Sequence, residues 1–146
     1  MLFLYDLSAA FDTVSHATLV KKIEIYGFQE KSLSWMRSYL ENRQQSVTVQ
    51  KLSKVQEMKL GTPQGSRLSP LAFVIFMADL DLHVSGNCQI SQFADDTQTL
   101  CVSDSKESVV AMSTREATNV INFFSANDLV NNPDKACVVK ILEVNI

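Results

Sequence analysis

Glycine and proline are sparse, four and three in 146 residues, which excludes collagen-like, Pro-rich and low-complexity chains. No apolar run approaches the roughly 18 residues that a membrane-spanning helix needs. The opening Met1–Tyr5 has neither the length nor the basic flank of a secretory signal. The three cysteines, Cys88, Cys101 and Cys137, are odd in number and lack metal-ligand spacing, so buried free thiols are expected, with no zinc site and no disulfide. Positive charge is short as well. Thirteen Lys and Arg stand against sixteen Asp and Glu, a net charge of −3. A free-standing nucleic-acid binder is normally basic, so any such role needs basic neighbours or metal ions that offset the acidic groups. What is present, 46% hydrophobic and 20% charged residues, is the composition of a globular domain able to bury its own core.

Met1–Tyr5 is a continuous apolar run that stops at Asp6, the pattern of a buried strand. From His16 to Tyr26, Leu19, Val20, Ile23 and Tyr26 recur at helical spacing before Gly27. Ser32 is placed to cap a second helix with a Leu33, Met36 and Leu40 stripe, widened by Trp35 and Tyr39 as core aromatics. Residues 46–50 and 55–60 read as a two-stranded hairpin. The loop Gly61-Thr-Pro-Gln-Gly-Ser66 leads to Ser69-Pro70, a helix start, and to the run from Leu71 to Ala78, apolar all round as in a buried helix. Gly86-Asn87 turns into a strand from Cys88 to Ala94, with Asp95-Asp96 at its end and a returning strand from Thr97 to Val102. A long helix capped by Ser103 or Ser105 carries Val109, Met112, Val120 and Phe124 on one face, and a last strand runs from Cys137 to Leu142. The order β-α-α-β-β-α-β-β-α-β implies an α+β fold, helices packed on one face of an antiparallel sheet.

Two acidic sites, Asp6 and Asp95-Asp96, end predicted strands. If those strands are neighbours, hard carboxylate oxygens gather at one sheet edge, a donor set suited to Mg²⁺. Two such ions about 4 Å apart can activate an attacking hydroxyl and steady a leaving pyrophosphate. Taken singly, either site also reads as solvated turn aspartates.

Four segments carry a resemblance. Phe93-Ala-Asp-Asp96 resembles the aromatic-x-Asp-Asp box of reverse transcriptases, and Gly61-Thr-Pro-Gln-Gly-Ser-Arg-Leu-Ser-Pro70 their Pro-Gln-Gly box. Asp6-Leu-Ser-Ala-Ala-Phe-Asp12, followed by His16 and Leu19, resembles their first aspartate motif. Leu129-Val-Asn-Asn-Pro-Asp-Lys135 is similar to the loop that follows, although Asn131 and Ala136 stand where Leu and Thr are common. All four occur in the family's order across nearly the whole chain. The segments Tyr39-Leu-Glu-Asn-Arg-Gln-Gln-Ser-Val47 and Phe93–Thr97 look most like non-LTR (LINE-type) retrotransposons.

The resemblance implies that residues 1–146 are a polymerase palm, joining dNTPs to a DNA primer on an RNA template with two Mg²⁺ ions, or Mn²⁺ in their place. Asp6 and Asp95 match the two carboxylates that bridge the metals, the Leu7 carbonyl the backbone ligand, and Asp96 a supporting ligand. Gln64 and Gly65 match residues against the nucleotide and template. Lys135 matches a proton donor to pyrophosphate, and reads equally as a solvated lysine. Asp12 reads as a carboxylate near the metals or as a cap. The family's basic fingers, primer grip and thumb are absent from these residues, so the isolated chain is expected to be inactive and its acidity is accounted for. The alternative is a transposon remnant serving as an interaction module. An unrelated RNA-binding sheet lacks support, because stacking aromatics and basic residues are missing. Phe11 falls at the family's steric gate beneath the incoming sugar, with simple core packing as the other reading. As a gate it clashes with a 2′-OH. Phe11→Val in an active polymerase is expected to admit rNTPs in single-nucleotide extension; unchanged sugar selectivity contradicts the gate.

Overall fold

The computed structural model describes residues 1–49, 51–85 and 87–140; Gln50, Gly86 and Leu142, used above to bound elements, lie outside them. In chain order the elements are β1 (Leu2–Tyr5), α1 (Ala10–Thr13), α2 (His16–Ile25), α3 (Glu30–Leu40), β2 (Gln44–Gln45), β3 (Thr48–Val49), β4 (Lys51–Leu52), β5 (Gln56–Glu57), α4 (Ser69–Met77), a 3-10 turn (Leu80–His83), β6 (Cys88–Phe93), β7 (Asp96–Cys101), α5 (Lys106–Ala126) and β8 (Cys137–Val139). The chain divides into two compact units, Met1–Ala10 with Met77–Ile146, and Phe11–Phe76.

The first unit is a four-stranded antiparallel sheet, ordered β6-β7-β1-β8, against which α5 packs. Alternation decides its two faces. Tyr5, Thr97, Thr99 and Cys101 are buried on the helix side, where Tyr5 meets Phe124 edge-on; Asp96 and Gln98 are exposed. Tyr5 shares a 3.0 Å hydroxyl bond with Thr99, and burial pushes its phenol pKa up. α5 begins at Ser105, whose hydroxyl accepts from the Ser108 amide, and Val120, Phe123 and Phe124 line its buried face. The β6–β7 register sets Cys88 opposite Cys101 with Cα atoms 4.3 Å apart, and the structure bonds their sulfurs. This corrects the expectation of no disulfide. Thirteen residues separate the two, but a tight hairpin makes them direct neighbours, which spacing alone does not reveal. Cys137 is free, as expected, but exposed rather than buried.

Glu116 is the group that sequence reading overlooked. It falls on the apolar stripe of α5, between Met112 and Val120, and its side chain is wholly buried. Its carboxylate accepts from the Ser85 amide at 3.0 Å, Asn119 Nδ2 at 3.2 Å and Arg115 Nε at 3.1 Å. A charge on an apolar stripe was the available signal.

In the second unit, Ser15 caps α2 through the Thr18 amide, and Leu19, Val20 and Ile23 are buried as expected. Lys22 is buried too: its ammonium donates to the Phe76 carbonyl at 2.6 Å, a cation at the last turn of α4. Four expectations change. Helix α3 starts at Glu30, not after Ser32; Gln29 holds the cap position with extended backbone and no side-chain bond. Along that helix only Leu40 is buried, Trp35 is 54% exposed, and Trp35 and Tyr39 stack on each other 5.7 Å apart rather than in a core. Helix α4 is not buried all round, since Leu71 and Val74 are exposed while Ala72, Phe73 and Phe76 are buried. Ser69, its first residue, donates to the Pro63 carbonyl and so ties the loop before it. The expected single hairpin is two short ones, β2 with β5 and β3 with β4. The described side chains of residues 44–48 and 52–57 are exposed, so no buried face among them fixes a longer register.

Burial alone raises the Glu116 pKa, but the bonds from Ser85, Asn119 and Arg115 outweigh it and hold the carboxyl below its usual 4.5. Its contribution is therefore complete above that value and fades as pH falls through the lower folded value. Glu116→Ala is expected to cost about 2–3 kcal/mol at neutral pH. Denaturant melts should show the gap between wild type and variant narrowing below pH 4.5; a gap that is constant or widens with acid contradicts this.

Candidate active site

The apolar run of β1 stops at Asp6 on the sheet's edge. The next residue, Leu7, is buried and pairs with Asn131 as an isolated antiparallel bridge, held by Ser8 N–H to Val130 C=O and Asn132 N–H to Asp6 C=O, both 2.8 Å. In such a pair the amide and carbonyl of Leu7 itself point away from the Asn131 strand. The loop Leu129–Lys135 thus lies beside Asp6, and Lys135 Nζ comes within 3.4 Å of Asp6 Oδ2. That oxygen is buried and makes no hydrogen bond. The lysine contact is one of charge.

On the other side, β1 pairs with β7, Tyr5 opposite Thr97, so the next residue in β1 and the preceding one in β7 are Asp6 and Asp96. β6 and β7 are joined by a two-residue turn, Ala94-Asp95, with Ala94 left-handed at φ 54°. Glycine is the usual residue for that backbone, and a Cβ there costs on the order of 1–2 kcal/mol. An opening of about 370 Å³ results, lined among others by Asp6, Phe93, Asp96, Gln98, Lys135 and Cys137. Asp95 is half-buried in the turn and is not among its lining residues. Among the described residues no three His, Cys, Asp or Glu side chains are grouped to hold a metal ion. The structure thus brings together Asp6, Asp96 and Lys135 at this opening, with Asp95 in the turn directly before Asp96.

The remaining predicted residues lie in the second unit. Phe11 is half-buried, its ring 4.7 Å from that of Phe73. The Gly61–Ser66 loop is pinned to the segment 11–16 by Gly61 N–H to Val14 C=O, Thr62 N–H to Phe11 C=O, and a 2.7 Å contact between His16 Nε2 and the Gly61 carbonyl. Gln64 donates to Asp12 Oδ1 at 2.9 Å, so Asp12 is neither a cap nor a bystander. Gly65 is left-handed and faces open space.

The reverse transcriptase (RNA-dependent DNA polymerase) family matches residues 1–145. The probable RNA-directed DNA polymerase from transposon BS of Drosophila melanogaster is 38% identical over 76 residues, 51% of this chain and 8% of that protein. The RNA-directed DNA polymerase from mobile element jockey, of the same organism, is 32% identical over 107 residues, 68% of this chain and 12% of that protein. The chain thus spans about a tenth of the curated relatives it matches. Among solved structures, telomerase from Candida albicans, in complex with a fragment of telomeric RNA, superposes with a TM-score of 0.71 at 15% identity, covering 95% of this chain and 27% of that one. That likeness is one of fold. The chain belongs to the reverse transcriptase family, as the reverse transcriptase domain of a LINE-type element, and its fold is the α+β, palm-like one expected.

Gly61 is required by its surroundings. A Cβ there would lie 2.8 Å from Asp12 Cα and O, on a backbone at φ +83°. Gly65 carries only the conformational cost. Gly61→Ala should therefore cost about 2 kcal/mol or more and Gly65→Ala about 1. Equal melting-temperature losses for the two variants contradict this reading of the loop.

Proposed function

We propose that this chain supplies the catalytic edge of an RNA-directed DNA polymerase, which joins a dNTP to a primer 3′-OH on an RNA template. The observation that carries this reading is the neighbouring placement of Asp6 and Asp96 on paired strands, with a buried Asp6 oxygen that has no hydrogen-bond donor. A buried carboxylate oxygen without a hydrogen-bond donor, offset only by the Lys135 charge at 3.4 Å, retains capacity for a further cation. The donor set is hard oxygen, which fits Mg²⁺, with Mn²⁺ as the substitute. Asp6, Asp95 and Asp96 would hold such ions, joined by the Leu7 carbonyl. Bound there, two divalent ions supply activation of the attacking hydroxyl and neutralisation of charge on the departing pyrophosphate.

The other roles belong to the chain itself. Lys135, 66% exposed and drawn to Asp6 by charge, is free to swing and can give a proton to the leaving group. Phe11, braced by Phe73, presents a ring edge that excludes a ribose 2′-OH. Gln64 and Gly65 lie against the incoming nucleotide and template, Gln64 with its amide already oriented by Asp12. None of these groups forms a covalent intermediate; the protein's contribution is positioning and electrostatics.

Primer extension on an RNA template, by a polymerase that contains this whole segment, tests the reading. Asp6→Asn, Asp95→Asn and Asp96→Asn should each abolish or nearly abolish extension while leaving the melting temperature within a few degrees. Full extension by the Asp6 or Asp95 variant sinks the assignment, and inactivity of the unmutated polymerase favours the remnant reading.

A further inference from the structure

Helix α4 is apolar at every position from Pro70 to Met77, the composition of a core helix, yet Leu71 and Val74 are each more than half exposed. In the same unit, Phe28 after α2 and Trp35 on α3 are exposed as well. Leu71, Phe28 and Trp35 are walls of one groove of about 370 Å³, whose floor includes the buried Ile23 and Ala72. Leu68, Leu71 and Ile75 enter it along one stripe of α4, at i, i+3 and i+7, and Lys31 and Trp35 along one stripe of α3, at i and i+4.

The walls are held in place before anything binds. Trp35 stacks on Tyr39 with ring centroids 5.7 Å apart. The Tyr39 hydroxyl donates to Ser66 Oγ at 2.6 Å, and the same oxygen accepts from the Leu68 amide at 3.2 Å, so one serine ties α3 to the start of α4. After the left-handed Asn42, Arg43 folds back: its Nε donates to the Tyr39 carbonyl at 2.9 Å, and its guanidinium carbon lies 4.8 Å over the Tyr39 ring. An indole fixed in this way costs little to order on binding.

Charge says what the groove accepts. Of the described residues that line it, Lys31 is the one that carries charge, and among the described residues no carboxylate pairs with it. The carboxylates of α3 lie elsewhere: Glu30 and Glu41 line a separate polar opening with Arg37. A membrane surface is held by many cations around an apolar face, whereas this groove offers a single one. Two helical walls with an apolar floor receive the ridge of a third helix, and an unpaired ammonium at the rim selects a carboxylate on it.

We propose that the groove between α3 and α4 docks an acidic amphipathic helix of a protein partner, its apolar ridge between Trp35 and Leu71 and a carboxylate on Lys31. This docking goes beyond the polymerase reading and does not depend on the ion site at Asp6 and Asp96.

Trp35 is the sole tryptophan of the chain, so its fluorescence reports on the groove directly. The probe is a helical peptide of about 16 residues, with leucine at i, i+3, i+4 and i+7 and glutamate on the flanks. A control peptide carries lysine in place of every glutamate. The full chain should bind the acidic peptide about tenfold more tightly than the basic one, with Trp35 emission moving to shorter wavelength and the resonances of Phe28, Lys31 and Leu71 shifting. Lys31→Glu should reverse the preference. Leu71→Ser, at an exposed position, should weaken acidic-peptide binding about tenfold while the melting temperature stays within a few degrees. Unchanged Trp35 emission, equal affinity for the two peptides, or an unreversed preference in Lys31→Glu overturns the proposal. So does an emission shift that grows with protein concentration alone, which marks a second copy as the occupant. A shift produced by phosphatidylcholine–phosphatidylserine vesicles and not by the acidic peptide marks a membrane instead, and overturns it too.

Discussion

The pairing of β1 between β7 and β8 is the constraint on which the candidate site depends. The register Tyr5↔Thr97 on one side brings Asp96 beside Asp6, and Leu4↔Cys137 on the other leads back to Lys135. A slip of one residue would turn Asp6 toward α5, where Tyr5 now meets Phe124. The buried face therefore fixes the exposed one: Tyr5, Thr97 and Thr99 hold the register, and their alternates carry the carboxylates and Gln98. Glu116 supports the same unit from behind by fixing Ser85, close to the start of β6, to α5.

The Asp6 carboxylate is the point of tension in this arrangement. One of its oxygens is buried without a donor, with only the charge of Lys135 at 3.4 Å to offset it. Ala94 in a left-handed turn adds local strain beside it. Strain and unsatisfied polarity are thus concentrated at one end of the paired strands, and they are the basis for proposing a cation site there. In the second unit the corresponding fixed point is Gly61, packed on the Asp12 backbone so closely that a Cβ would lie 2.8 Å from it. That contact orients Asp12, Asp12 orients Gln64, and the Pro-Gln-Gly loop acquires a defined chemical direction.

Much of this was legible in the sequence where a local rule had no competitor. The Ser105 cap, the long amphipathic α5 and the β6–β7 hairpin, whose turn falls one residue before the expected Asp95-Asp96, follow from side-chain chemistry and periodicity. Legibility failed where tertiary packing decided. Trp35 and Tyr39 look like core on a helical wheel, but Trp35 is exposed and Tyr39 only half-buried, its ring stacked on Trp35 and its hydroxyl tied to Ser66. The Cys88–Cys101 pairing depends on hairpin register, Glu116 on the loop folded over it, and Arg43 on a turn at Asn42. In the site, the sequence named the aspartates; it did not distinguish Asp96, which lines the opening, from Asp95, which sits in the turn.

The central claim is that Asp6 and Asp96 form a divalent-cation edge on paired strands. Paramagnetic broadening by substoichiometric Mn²⁺, followed by NMR on the full chain and reversed by excess Mg²⁺, tests it most directly. The account predicts selective loss of signals from Asp6, Leu7, Asp95, Asp96 and Lys135, abolished by Asp6→Asn. Broadening centred elsewhere, or unchanged in the Asp6→Asn variant, contradicts it.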